Sequence, residues 1–223
     1  CSIRRCWTGI LFSRGVDSYE VNTLDLSNIK LQGIDSNEVQ SLIPKNPSET
    51  DEDYIERAGS AGIRSYCTFN GVKFWGMTVE GFDFGFKFCR VDLPYLAAAS
   101  GIFNIENCYF ENNRVFDIDF VPWEQGKMIW KIIVNILNGR FYSGRIRIGE
   151  GTINIENCEP LIISGYETYG YGKNLNIKNT IFKFDNSFLS TLDYNTKISN
   201  KWHGGSYISK YITNNINEQL SYK

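Results

Sequence analysis

One short pattern recurs along this chain, and it restricts the possible folds more than any other feature. Asn104-Ile105-Glu106-Asn107-Cys108-Tyr109-Phe110 returns as Asn135-Ile136-Leu137-Asn138-Gly139-Arg140-Phe141. It returns again as Asn154-Ile155-Glu156-Asn157-Cys158 and as Asn176-Ile177-Lys178-Asn179-Thr180-Ile181-Phe182. Weaker copies run upstream: Ser2-Ile3-Arg4-Arg5-Cys6, Leu26-Ser27-Asn28-Ile29 and Phe74-Trp75-Gly76-Met77. A unit this short cannot bury its own apolar face, so its repetition predicts stacked rungs that share one core.

Each copy has a central marker: Arg5, Asn28, Gly76, Asn107, Asn138, Asn157 and Asn179, with spacings of 23, 48, 31, 31, 19 and 22 residues. The short spacings set a bare rung of roughly 20 residues, and the long ones hold loops. Two positions before the markers stand Ile3, Leu26, Phe74, Ile105, Ile136, Ile155 and Ile177, all apolar. Three positions after them stand Thr8, Leu31, Val79, Phe110, Phe141, Pro160 and Phe182, five of them large and apolar. Such columns arise when side chains at equal phase point into a narrow interior. Asparagine suits a tight bend at the marker because it tolerates left-handed backbone geometry. Stacked asparagines can also hydrogen-bond from rung to rung.

The Asn-Ile-Glu-Asn-Cys-x-Phe rungs resemble the right-handed parallel β-helix of pectate-lyase-like proteins and phage tailspikes. The resemblance implies an all-β solenoid of about seven rungs over residues 1–185, with three strands per rung. It is specific for fold rather than function, because the architecture hosts lyases, hydrolases, adhesins and inert shafts. Around Asn107 the expected strands are 108–111, 115–120 and 128–136, with a bend at Asn112-Asn113 and a loop over 121–127. Residues 33–62 are polar and rich in acids, and form a loop insertion with one short helix at Asp51–Ala58, where acidic residues crowd the start. The tail, 186–223, loses the pattern and reads as a C-terminal cap or a lead into a further domain, with a short helix over 214–220. The chain opens on Cys1 inside a rung, which predicts further sequence upstream.

The 223 residues carry a net charge of −2, and no basic stretch points to nucleic acid. No apolar run has the length of a membrane span. Of the six cysteines, Cys6, Cys108 and Cys158 fall in one column. At about 4.8 Å per rung, Cys108 and Cys158 lie near 10 Å apart, too far for a disulfide. They read as small buried hydrophobes. Cys67 and Cys89 fall on neighbouring rungs and could bridge; free thiols are favoured, which suits assembly in a reducing cytoplasm.

Strand alternation assigns an outward strip on the second strand of successive rungs. Phenylalanines 82, 84, 86 and 88 point in, leaving Asp83 and Lys87 out. Phe116, Ile118 and Phe120 point in, leaving Asp117 and Asp119 out. Ile146 and Ile148 point in, leaving Arg145 and Arg147 out. Paired carboxylates can act as acid and base on a glycosidic bond, so Asp117 and Asp119 are the candidate catalytic residues. Asp83, Lys87, Arg145 and Arg147, with Trp123, Glu124 and Trp130 from the adjoining loop, are the candidate saccharide contacts. Tyr166, Tyr169 and Tyr171 occupy the matching loop further on. The other reading of the strip is a ladder of paired charges, Asp117 over Arg145 and Asp119 over Arg147, with no catalytic meaning.

His203 is the only histidine, so no histidine-based triad or metal cluster is supported, and the sequence implies no cofactor. The Asn-Thr-Asp and Gly-His-Gly signatures of polygalacturonase-like enzymes are missing. The resemblance implies a tailspike-like or fibre-like host-recognition protein in a phage virion tail. Such a protein binds a surface polysaccharide, with degradation left open, and is commonly a homotrimer. The alternatives are a secreted bacterial polysaccharide lyase or glycoside hydrolase, and a non-catalytic shaft or adhesin.

Overall fold

The computed structural model describes residues 1–12, 24–34, 36–65, 71–88, 100–120, 131–142, 144–149, 151–165, 173–191 and 197–201. The chain opens with strands β1 (Ser2–Cys6), β2 (Thr8–Phe12), β3 (Leu24–Ser27) and β4 (Lys30–Gly33). Helices α1 (Ser36–Leu42) and α2 (Asp51–Ala58) follow, the second on the segment that the sequence marks as helical. Next come β5 (Ala61–Ser65), β6 (Val72–Trp75), β7 (Thr78–Glu80), β8 (Phe84–Phe88) and β9 (Ser100–Glu106). Then β10 (Tyr109–Glu111), β11 (Phe116–Phe120), β12 (Lys131–Leu137), β13 (Arg140–Phe141), β14 (Arg145–Ile148) and β15 (Gly151–Glu156) continue the order. The last elements are β16 (Leu161–Gly165), β17 (Lys173–Lys178), β18 (Phe182–Phe184), α3 (Asn186–Ser190) and β19 (Lys197–Lys201).

These strands make three sheets in which every pairing is parallel. Sheet A orders β1-β4-β7-β10-β13, sheet B runs from β2 through β5, β8, β11, β14 and β16 to β18, and sheet C runs from β3 to β19. Up to β15 the chain visits A, B and C in turn and starts again, which is the connectivity of a β-solenoid. One apolar cluster draws on all three sheets: Leu31, Val79 and Phe110 from A, Ile63, Phe86 and Ile118 from B, and Phe74, Ile105 and Ile136 from C.

The interior file is as the repeat predicts. Leu26, Phe74, Ile105, Ile136, Ile155 and Ile177 are register partners from strand to strand in sheet C. Phe110 and Phe141 pair in sheet A with their rings stacked, centroids 5.3 Å apart. Burying each such side chain contributes roughly 1.5–3 kcal/mol. Asn28, Gly76, Asn107 and Asn138 turn the chain from sheet C to sheet A, and Asn157 and Asn179 end β15 and β17 with the same bend. Asn28, Asn107, Asn138, Asn157 and Asn179 have φ of 48–53°, and Gly76 has φ 62°. Asparagine and glycine hold that geometry at least cost, which is why the column contains little else.

The first copy is out of register with the rest. Ile3 partners Leu31, and Cys6 partners Gly33 across an irregularity. Ile3 therefore belongs to the file of Leu31 and Val79, not to that of Ile105. Arg5 (φ 52°) sits at the bend from sheet A to sheet B, where Gly81 (φ 73°) and Asn112 (φ 54°) sit on later circuits. Cys6 thus leaves the column of Cys108 and Cys158. Cys1 takes the equivalent place instead: its carbonyl accepts from Lys30 N–H at 3.0 Å, as that of Met77 does from Tyr109 at 2.8 Å. Cys1, Cys6, Cys108 and Cys158 are free thiols; Cys67 and Cys89 lie outside the described residues.

Strand limits follow the expectation closely around Asn107, although the loop over 121–127 and the start of the third expected strand lie outside the described residues. Past residue 185 the chain still contributes β19 to sheet C, and Phe188 of α3 stacks on Phe184 at 4.1 Å. The expected helix over 214–220 also lies outside the described residues.

Candidate functional site

The outer side of sheet B is where the sequence places its charged strip. Arg64, Lys87, Asp119 and Arg147 are successive register partners, one per strand. The strip lies outside the coil but beneath α2, not at the surface. Asp83, Lys87, Asp117, Asp119 and Arg147 are all buried, and Arg145 is exposed.

Helix α2 forms where it does for local reasons. Thr50 caps it by accepting from Asp53 N–H at 3.1 Å, acids fill its first turn, and Arg57 closes it. Its Ile55 packs on a small outer cluster of Ala61, Phe84 and Phe116. Glu56 reaches into the strip, accepting from Lys87 Nζ at 2.7 Å and Arg147 Nη2 at 2.5 Å. Arg147 also grips Asp119 with two hydrogen bonds of 2.7 and 2.8 Å. The cations of Lys87 and Arg147 thus meet the carboxyl groups of Glu56 and Asp119.

Burial works against the Glu56 charge, but Lys87 and Arg147 outweigh it and hold the carboxyl below its usual value. Complete burial pushes the Asp119 carboxyl above its usual value, against the pull of Arg147. Burial disfavours the Arg147 charge too, yet Asp119 and Glu56 together hold its pKa above the ordinary one.

Strict alternation fails on β8 and β11. Phe84 and Phe116 face α2, outside the coil, while Phe86 and Ile118 lie in the main core. Between them the strand bends. A Cβ on Gly85 would meet Phe110 Cδ1 at 2.5 Å, so residue 85 faces the A–B corner, where only hydrogen fits. On the next strand Asp117 accepts from Asn113 Nδ2 at 2.9 Å in that same corner. Asp117 and Asp119 therefore engage different partners, Asn113 and Arg147.

The remaining strip residues are also engaged. Asp83 accepts from Ser60 N–H at 2.7 Å and from Arg114 Nε at 2.7 Å. Arg145 lies over the Phe116 ring at 5.2 Å. Trp123, Glu124, Trp130, Tyr166, Tyr169 and Tyr171 lie outside the described residues.

Sequence reasoning missed Glu56, the residue that joins α2 to the strip; its signal was the expected helix, with Tyr54, Ile55 and Ala58 as an apolar face. The recurrence Gly9-Ile10, Gly62-Ile63, Gly85-Phe86 was the signal for the bend. It also missed an open recess of about 380 Å³ at the corner between sheets C and A. Asn107, Tyr109, Asn138, Arg140, Asn157 and Glu159 line it. Arg140 stands over the Tyr109 ring at 5.1 Å and 3.8 Å from Glu159.

Among the described residues, no group of three or more His, Cys, Asp or Glu could hold a metal ion, and no helix is long and apolar enough to cross a membrane. Compared with protein-family models, curated proteins and solved structures, the chain matches none.

Proposed function

We propose that this chain is a right-handed parallel β-helix of the pectate-lyase-like and tailspike type. On this reading it is a tailspike-like or fibre-like host-recognition protein of a phage virion tail, binds a surface polysaccharide, and acts as a homotrimer. The observation that carries the binding role is the set of aromatic rings left open on sheets A and C. Trp75 is 39 % exposed, Tyr109 38 % and Tyr142 77 %. Trp75 and Tyr109 stand on strands β6 and β10, Tyr142 directly follows β13, and Tyr109 has Asn107, Asn138 and Arg140 beside it. A ring with an apolar face and polar neighbours suits a sugar, which is itself apolar on its C–H face and polar at its rim.

A second reading, a non-catalytic shaft or adhesin, is favoured by the burial of Asp119 and Asp117 and by the two hydrogen bonds with which Arg147 holds Asp119. An adhesin shares the binding surface without the chemistry, and a shaft has neither. Incubation of the chain with capsular polysaccharide and lipopolysaccharide preparations tests both. Retention of polysaccharide on the immobilised chain, without new reducing ends or unsaturated uronate absorbance, is the expected result. No retention of any preparation removes the recognition role. New chain ends that vanish in Asp119→Asn restore the enzyme reading. Sedimentation equilibrium checks the trimer, and a monomer removes it.

A further inference from the structure

We propose that the recess between sheets C and A is a subsite for one neutral pyranose unit. The proposal rests on the polysaccharide-binding reading and gives it a location. Two columns of asparagine run along this side of the molecule. The first is continuous: Asn135 donates to Asn104 at 2.8 Å, Asn154 to Asn135 at 2.7 Å and Asn176 to Asn154 at 2.8 Å. The marker column is interrupted. Asn138 donates to Asn107 at 3.1 Å and Asn179 to Asn157 at 3.0 Å, but no side-chain hydrogen bond joins Asn157 to Asn138.

The interruption has a local cause. After Asn157 the chain runs through Cys158-Glu159-Pro160 without forming a strand, so sheet A ends at β13 and the surface steps down. Proline lacks the N–H that a further strand would offer. At the step, Asn138 has committed its Nδ2 to Asn107, and Asn157 its Oδ1 to Asn179. Asn138 Oδ1 and Asn157 Nδ2 are thus left without an asparagine partner in the column, both on exposed side chains. Adjacent hydroxyls of a pyranose match that pair: one donates to Asn138 Oδ1, and the oxygen of the next accepts from Asn157 Nδ2. Tyr109 supplies the aromatic edge of the recess. Arg140 and Glu159 balance each other in charge, so a neutral sugar fits better than a uronate.

The test is a titration of the isotope-labelled full chain, followed by NMR, with the methyl α-pyranosides of glucose, galactose, mannose and rhamnose as probes. At least one probe is expected to move the side-chain amide signals of Asn138 and Asn157 saturably, leaving Asn104 and Asn135 in place. Asn157→Gly keeps the positive-φ bend and removes the amide, and it should weaken that probe at least tenfold. Glu159→Gln, which leaves the backbone untouched, should weaken it as well. Saturable shifts from none of the four, or unchanged affinity in both variants, overturns the subsite. Retention of polysaccharide separates this failure from that of the parent reading. Full retention by Asn157→Gly sinks the subsite alone, and no retention by the unaltered chain sinks both.

Discussion

Asp119 and Arg147 stand opposite each other on neighbouring parallel strands and share two hydrogen bonds, with Asp119 only 1 % exposed. The pair is closed over by Glu56 of α2, which ties the inserted segment to the sheet. A carboxylate held this way is engaged before any substrate arrives.

Removing one partner should be costly. Asp119→Ala leaves the Arg147 charge buried without the carboxylate that grips it twice, and is expected to destabilise the fold by about 3–5 kcal/mol. Replacing the pair together, Asp119→Leu with Arg147→Met, should recover most of that loss. Urea unfolding of the two variants beside the unaltered chain checks both statements. A single change costing under about 1 kcal/mol would show that the pair is solvated.

The markers make a sharper test of backbone geometry. Asn107→Gly should be near neutral, since glycine reaches φ 52° freely. Asn107→Ala should cost about 1–2 kcal/mol, because its Cβ strains the left-handed conformation. Thermal melts of the two variants should differ in that order, and equal melts would remove the geometric account of the column.

Acid should release Arg57 of the inserted helix from Glu49. Hydrogen bonds from Arg57 hold the Glu49 carboxyl down at about 2, below its usual 4.5. A group lowered in the folded state stabilises it above the usual value and loses that contribution as pH falls through the lowered one. The clasp is therefore expected to persist at pH 4 and to open towards pH 2. Carbon-detected NMR of the Glu49 carboxyl reads the midpoint, and a midpoint near 4.5 refutes the clasp.

The thiols should sort by burial. Burial pushes Cys108 and Cys158 up to about 11, whereas Cys1 is exposed. At neutral pH, alkylation of Cys108 and Cys158 in the folded chain should be on the order of 100-fold slower than that of Cys1. Peptide mass spectrometry after timed labelling gives each rate. Comparable rates would mean that the column is open to solvent.

Much of the architecture was legible because one residue type has one job. Asparagine at Asn107, Asn138, Asn157 and Asn179 reports the bend, and isoleucine two positions earlier reports the interior. Arg5 misled because it has positive φ at a different bend, so its neighbours matched the pattern one sheet away. Asp119 faces outward as expected, but Phe84, Phe116 and Asp117 take other faces than expected, because alternation assumes a regular strand. At residue 85 the chain breaks that period to let Phe110 approach. Helix α2 was legible from the acids at its start, but its docking was not. Where an inserted segment lands depends on the outer faces of Phe84 and Phe116, which a strict period-two reading had buried inside.

Each strand of sheet C bonds only to those one circuit before and after it. The stretch from Asn138 to Asn157 completes such a circuit in 19 residues with almost no excursion. A molecule built this way can grow or shorten by whole circuits without re-pairing what remains. Its reach is thus a quantity that duplication can adjust in fixed steps, independently of whatever its surface holds.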